Sequence, residues 1–137
     1  MIDCPSSLGS LVENALTAAD LVIVPCRMEA RAIDGLADLV DILKVLRGRT
    51  FDAWRILRTV VDSHNRVANA AIEAALGSKY AEWLLETVIP KSEALNKAQI
   101  ARMDIFSFDE RATGALAYLA LADEVARWQR NQTPALS

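Results

Sequence analysis

Three short apolar runs, each closed by proline or aspartate and set between helix-patterned stretches, restrict this 137-residue chain to few folds. They are Leu21-Val22-Ile23-Val24 before Pro25, Arg55 to Val61 before Asp62, and Leu84 to Ile89 before Pro90. Each is too short for a core helix and rich in branched apolar residues, so each reads as a strand. The unbroken run 21–24 predicts a strand buried on both faces. The opening residues supply a fourth candidate. Met1-Ile2 reads as the end of a buried strand, Asp3 as an acid just beyond it, and Cys4 to Gly9 as a Pro-broken loop turning into a helix. Alternating strands and helices predict an α/β fold, a parallel sheet with helices on both faces. Ligands of such sheets sit beyond the carboxyl ends of the strands, where Asp3, Pro25, Asp62 and Pro90 would gather.

The intervening stretches carry helical spacing. Ser10 to Ala19 presents Leu11, Val12, Ala15, Leu16 and Ala19 to one side. Ala30 to Leu46 has the stripe Ile33, Leu36, Ala37, Val40, Leu43 and Leu46, and Gly48 reads as its C-cap. Its opposite side carries Asp34, Asp38, Asp41 and Lys44, a solvated face rather than a metal site. Asn65 or Ser63 is a candidate cap for a helix from Val67 to Leu76, with Gly77 as its stop and an alanine face suited to close packing. Lys91 to Phe108 reads as the longest irregular segment. Asp109 then starts a helix to about Arg130, with Leu116, Leu119, Val125 and Trp128 available to pack. Residues 1–130 form one domain in this reading, and 131–137 a disordered tail.

Composition removes several classes of function. Although 53% of the residues are hydrophobic, no apolar run approaches the roughly 18–20 residues of a membrane span. The start lacks the charged-then-apolar pattern of a signal peptide. A net charge of −3 gives no global attraction to nucleic acid, so any such contact needs a local basic patch. Cys4 and Cys26 make no disulfide framework and lack metal-ligand spacing with His64, the one histidine; both read as small buried residues of a reducing compartment. Asp62, Ser63 and His64 share one loop, where neighbours do not make a catalytic triad.

With these residues in view, the chain resembles the C-terminal half of the ParA family of deviant-Walker partition ATPases, relatives of MinD and Soj. Ile2-Asp3-Cys4-Pro5-Ser6-Ser7-Leu8-Gly9 is similar to the family's IDCPPSLG segment, and Ala19-Asp20 through Pro25 to its ADxVLIP. Glu29, Ala32, Gly35 and Leu36 match E-x-x-A-x-x-G-L, Thr87-Val88-Ile89-Pro90 matches TVIP, and Leu95, Ala98, Ile105, Phe108-Asp109 and Gly114-Ala115-x-Ala117-Tyr118 keep the register. The likeness runs through residues 1 to 128 and implies a partial deviant-Walker P-loop NTPase fold.

The resemblance assigns roles to residues. Asp3 takes the place of the Walker B acid that holds Mg²⁺ through water beside ATP. Cys4, Pro5, Ser6, Ser7, Leu8 and Gly9 take that of switch II, and Pro90 that of the residue bordering the adenine. Non-specific DNA contacts fall to Arg66 and Lys91, with Lys97 a weaker third, while Ala94 stands where the family has another basic residue. The implied partners are non-specific DNA, a centromere-binding ParB-like protein, and a second copy or a full-length relative, all in a cytoplasmic, nucleoid-associated setting with no membrane. The family's Gly-rich phosphate loop has no counterpart, for no G-x-x-x-x-G-K-[ST] run occurs in the chain. Alone, therefore, it is expected not to hydrolyse ATP. The alternative expectation is a non-enzymatic interaction module that self-associates or pairs with a full-length partition ATPase.

Overall fold

The computed structural model describes residues 1–5 and 7–132, side chains at 30 and 132 excepted. Its described strands are β1 (Val22–Arg27), β2 (Trp54–Val61) and β3 (Leu84–Pro90), which form one parallel sheet in the order β1-β2-β3. The helices are α1 (Ser10–Ala18), α2 (Ala30–Arg47), α3 (Arg66–Tyr80), α4 (Glu93–Ile100), α5 (Ile105–Asp109) and α6 (Thr113–Gln132).

Both faces of the sheet carry helices, as expected. One face holds the larger core, in which Val22, Val24, Cys26, Trp54 and Ile56 meet Val12 and Leu16 of α1, Leu36, Val40 and Leu43 of α2, and Ile72 and Leu76 of α3. On the other, Leu57, Leu85 and Ile89 meet Ala117 and Leu121 of α6 and Leu95 of α4. Trp54 stacks on Trp83 at 5.1 Å and meets Tyr80 edge-on at 6.3 Å. That contact explains why α3 runs through Gly77 to Tyr80 instead of stopping: the last turn gains an aromatic contact that outweighs the roughly 1 kcal/mol cost of an interior glycine.

Several expectations need correction. β1 is buried on one face, not two: Val22, Val24 and Cys26 point into the core, while Ile23, Pro25 and Arg27 are exposed. The helices of the second face pack over β2 and β3 and leave β1 bare there. Met1 to Pro5 form no strand and are exposed. The alanine face of α3 is largely solvent-facing at Ala70, Ala71 and Ala74; Ile72 and Leu76 bury instead. The segment 91–108 is mostly helical. Ser92 opens α4, and α4 ends with Arg102 N–H on the Gln99 carbonyl (3.1 Å) and Met103 N–H on the Ala98 carbonyl (3.0 Å), the Schellman pattern. The Asp104 side chain caps α5 by accepting Ser107 N–H at 2.9 Å. Asp109 thus closes α5, and α6 starts at Thr113; it includes Asn131 and Gln132, and 133–137 lie outside the described residues. Gly48, by contrast, caps α2 as expected, with φ +85° and its N–H on Lys44 O at 3.0 Å.

Irregularity concentrates where β2 meets β3. Ile56 pairs with Leu84 but Arg58 with Val88, so β3 bulges over 85–87. Arg58 Nη2 satisfies the freed carbonyls of Leu85 (2.6 Å) and Glu86 (3.3 Å), and Glu124 of α6 accepts the N–H groups of Glu86 (2.7 Å) and Thr87 (2.8 Å). Further along, Val60 takes φ +56°, an unusual value for a β-branched residue, where β2 carries an extra residue between Arg58 and Val61. The slip flips the alternation, so Val61 rather than Val60 packs on the larger core.

Candidate functional site

The carboxyl ends of the strands lie along one edge, as a parallel sheet dictates. β1 ends in Arg27, whose guanidinium pairs with Glu29 at 2.8 Å, both side chains being exposed. β2 runs into Asp62 and the turn Ser63-His64-Asn65, from which α3 starts at Arg66. β3 ends at Pro90, paired with Val61, and Lys91 extends the ladder by giving its N–H to Val61 O at 2.9 Å. Arg66, at the start of α3, and Lys91 thus both follow the carboxyl ends of adjacent strands.

Asp62 ties Lys91 to the turn that precedes Arg66. Its Oδ1 accepts His64 N–H at 3.0 Å and faces His64 Nδ1 at 3.1 Å; its Oδ2 receives Lys91 Nζ at 3.0 Å. Its carbonyl oxygen accepts Asn69 Nδ2 at 2.8 Å from the first turn of α3. The His64 backbone N–H, then Lys91, then the His64 ring hold the Asp62 carboxyl down at about 2, so it is charged across the neutral range. The His64 side chain is 92% exposed, so its contact with Asp62 is a turn contact and not a relay into a pocket. The sequence marks Asp62 as a strand terminator at the ligand edge and as no triad member, but not as a partner of Lys91. The missing signal was a partner 29 residues away.

The other basic candidates differ in freedom. Arg66 is exposed, and among the described residues no carboxylate pairs with it. Lys97 lies on α4 and pairs with Glu93 one turn earlier at 3.1 Å, both exposed. Ala94, where a further base was missing, is half-buried beside Ala98, Ile105 and Ala115. Asn65 occupies the N-cap position of α3, but its side chain makes no cap bond.

The opening loop stands apart. Asp3, Cys4, Pro5, Ser7, Leu8 and Gly9 are exposed, and Ser6 lies outside the described residues. Cys4 is therefore not a buried filler, whereas Cys26 is, its thiol pushed up by burial. Gly9 begins α1 in an extended conformation, with Glu13 N–H on its carbonyl at 3.0 Å. Asp3 is not brought together with Pro90, Arg66 or Lys91 by any hydrogen bond or ion pair among the described residues. No group of three His, Cys, Asp or Glu side chains that could hold a metal is found among them. A single exposed carboxylate does not fit Mg²⁺, which needs octahedral oxygen ligands. No helix of the described residues is long and apolar enough to cross a membrane.

Comparison with known proteins agrees with these features. Residues 1–56 match the AAA domain family. An uncharacterised protein of Pseudomonas putida KT2440 is 41% identical over 133 residues, which cover 95% of this chain and 50% of that protein. The sporulation initiation inhibitor protein Soj of Bacillus subtilis is 35% identical over 92% of this chain and 51% of its own length. The chromosome partitioning protein ParA of Myxococcus xanthus is 31% identical over 98% of this chain and 48% of its own. The chain spans about half the length of these curated relatives. Together, the near-complete coverage at this identity and the parallel α/β sheet make the chain a relative of the ParA/Soj chromosome-partitioning proteins, corresponding to about half of one.

Proposed function

We propose that this chain serves DNA partition, as the switch II-to-C-terminal portion of a ParA-like, ATP-dependent dimerising protein that binds duplex DNA without sequence preference. The observation that carries the reading is the pairing of whole-chain likeness to Soj and ParA with Arg66 and Lys91 at one end of neighbouring strands. Arg66 and Lys91 meet phosphates, and Lys97 adds a weaker contact. Asp3 serves Mg²⁺–ATP, and Pro90 borders the adenine, only where a phosphate-binding loop stands beside them. The partners are a ParB-like centromere-binding protein and a second copy or full-length relative. The 137 residues alone hydrolyse no ATP, because they carry no loop of amides and lysine to hold the phosphates. The test is binding of mixed-sequence duplex DNA across a salt series. Affinity should fall with salt and with Arg66→Ala; indifference to both sinks the DNA assignment.

A second reading, a non-enzymatic interaction module, is favoured by the unequal edges of the sheet. Glu124 occupies two donors of β3, whereas among the described residues no strand pairs with the outer edge of β1, and Ile23 and Pro25 are exposed on its bare face. An open apolar edge is a template for pairing with another chain. Mass measurement in solution separates the readings, since a stable monomer indifferent to full-length relatives removes the module.

A further inference from the structure

We propose that Asp62 is an intramolecular rival of DNA phosphate for Lys91, so that the chain binds duplex DNA through Arg66 and engages Lys91 only when phosphate displaces the carboxylate. The inference rests on the reading that this end of the sheet contacts DNA. Its basis is the difference in how the two partners are held. Asp62 is anchored from several sides: His64 N–H on Oδ1 at 3.0 Å, Asn69 Nδ2 on its carbonyl at 2.8 Å, and the β2 ladder behind it. Its side chain is 22% exposed, against 62% for Lys91. The Lys91 backbone is fixed to Val61 O at 2.9 Å, but among the described residues its ammonium has one polar partner, the Asp62 carboxylate. Lysine is thus the member that can swing, and the acid is the fixed post.

Such an exposed pair is weak, which makes it a brake and not a lock. A polyanion whose phosphates recur every few ångströms can take the ammonium from one carboxylate. While the pair persists, Lys91 neutralises no phosphate and contributes nothing to counterion release. Lys97 is in a comparable state with Glu93, but there both partners are long, exposed side chains on one helix turn, with no anchored acid. Arg66, unpaired among the described residues, is the cation that makes the first contact.

The test uses the full chain and a fluorescein-labelled mixed-sequence duplex of about 24 base pairs, read by anisotropy from about 25 to 150 mM NaCl, where phosphate contacts dominate. Asp62→Asn keeps an oxygen for His64 N–H and should raise affinity about three- to tenfold at the low-salt end, with log K against log salt steeper by about 0.9. Lys91→Ala should weaken binding less in the native chain than in the Asp62→Asn background and should abolish the gain made by Asp62→Asn, a non-additivity that rivalry requires. Asp62→Ser, whose hydroxyl also accepts the turn N–H, gives the same answer should the Asn variant not fold. Equal losses on Lys91→Ala in both backgrounds, or a gain without change in salt slope, overturn the rivalry. Loss of DNA binding on Arg66→Ala with no coupling between Asp62 and Lys91 leaves the DNA reading standing and removes the brake. Absence of salt-sensitive binding in every variant removes both.

Discussion

Replacing Glu124 should unfasten α6 from the bulge of β3. Its two carboxylate oxygens accept the N–H groups of Glu86 at 2.7 Å and Thr87 at 2.8 Å, from a partner 38 residues distant in sequence. A hydrogen bond to a charged acceptor contributes roughly 1.5–3 kcal/mol net, less where water can replace the partner. The Glu86 contact is exposed and its N–H can be rehydrated; the Thr87 contact is half-buried and its N–H cannot be fully. Counting Thr87 at about 2 kcal/mol and Glu86 at about 0.5 gives about 2.5 kcal/mol for Glu124→Ala. Glu124→Gln keeps one acceptor and should lose about 1.5 kcal/mol, since its amide donors face an N–H. Urea unfolding followed by the emission of Trp54, Trp83 and Trp128 reads both as midpoint shifts near 1 M for an m-value of about 2 kcal/mol/M. Acidity supplies an independent check. Burial alone would raise the Glu124 carboxyl, but the Thr87 and Glu86 donors, with Arg127 nearby, outweigh it and hold it below its ordinary 4.5. A carboxyl depressed on folding adds stability that is present above 4.5 and is lost as pH falls through its folded value. The gap between the native chain and Glu124→Ala should therefore close as pH drops from 7 toward 3. A cost below about 0.5 kcal/mol, with a gap indifferent to pH, would refute the clamp.

Other substitutions test other parts of the same frame. At Gly114, an added Cβ would lie 2.8 Å from Leu95 Cγ and 3.1 Å from Ser92 Oγ, so Gly114→Ala should cost about 1–3 kcal/mol by pushing α4 from α6, read by the same urea assay. Arg102 sits at the left-handed position of the Schellman turn with φ +54°, so Arg102→Gly should stabilise the chain by roughly 1 kcal/mol, or a Tm rise of a few degrees. Calorimetry with Mg²⁺–ATP should give no heat, and a micromolar affinity would refute the incompetence proposed for these 137 residues. A thiol reagent should modify exposed Cys4 at once and buried Cys26 only on unfolding, which mass spectrometry after a short pulse can distinguish.

What the sequence made legible is local, and what it hid is long-range. The runs at 22–27, 54–61 and 84–90 were readable because β-branched stretches closed by Pro and Asp have few other uses, and Gly48 was readable because a glycine after a periodic stripe marks a helix end. Gly77 misled for the same reason: its stop signal was overridden by Tyr80 packing on Trp54, a contact spanning two elements. α4 and α5 escaped because Leu95, Ala98 and Ile105 are too sparse to give a clear period, and their caps rest on Asp104 and on a left-handed arginine that no propensity would place there. At the candidate site, the ends of β2 and β3 were legible to within a residue, whereas Arg66 and Lys91 were named by the family resemblance. Nothing local in Asp62-Ser63-His64 foretold that Asp62 would hold Lys91, or that Val60 would turn the strand to aim it.

Topology also bears on why Asp3 is not joined to the other site residues. Both crossover helices, α2 and α3, pack on the same face, so the sheet winds in one direction from β1 to β3. Doubly wound sheets bind nucleotides where the winding reverses, because there adjacent loops part and leave a crevice. A sheet that never reverses has no crevice between its own strands, and the described edge offers a surface bearing Arg27, Asp62, Arg66 and Lys91 in its place. Any reversal has to fall at an outer edge. At β3 two donors are already held by Glu124, while among the described residues β1 has no strand on its far side and is bare on one face. Under the proposed partition reading, Arg66, Lys91 and the adenine-bordering Pro90 belong to the β2–β3 side, while the Mg²⁺–phosphate chemistry belongs beside β1 and requires a strand paired to it. An added phosphate-loop segment that restored Mg²⁺–ATP binding without protecting the β1 amides from hydrogen exchange would break that division.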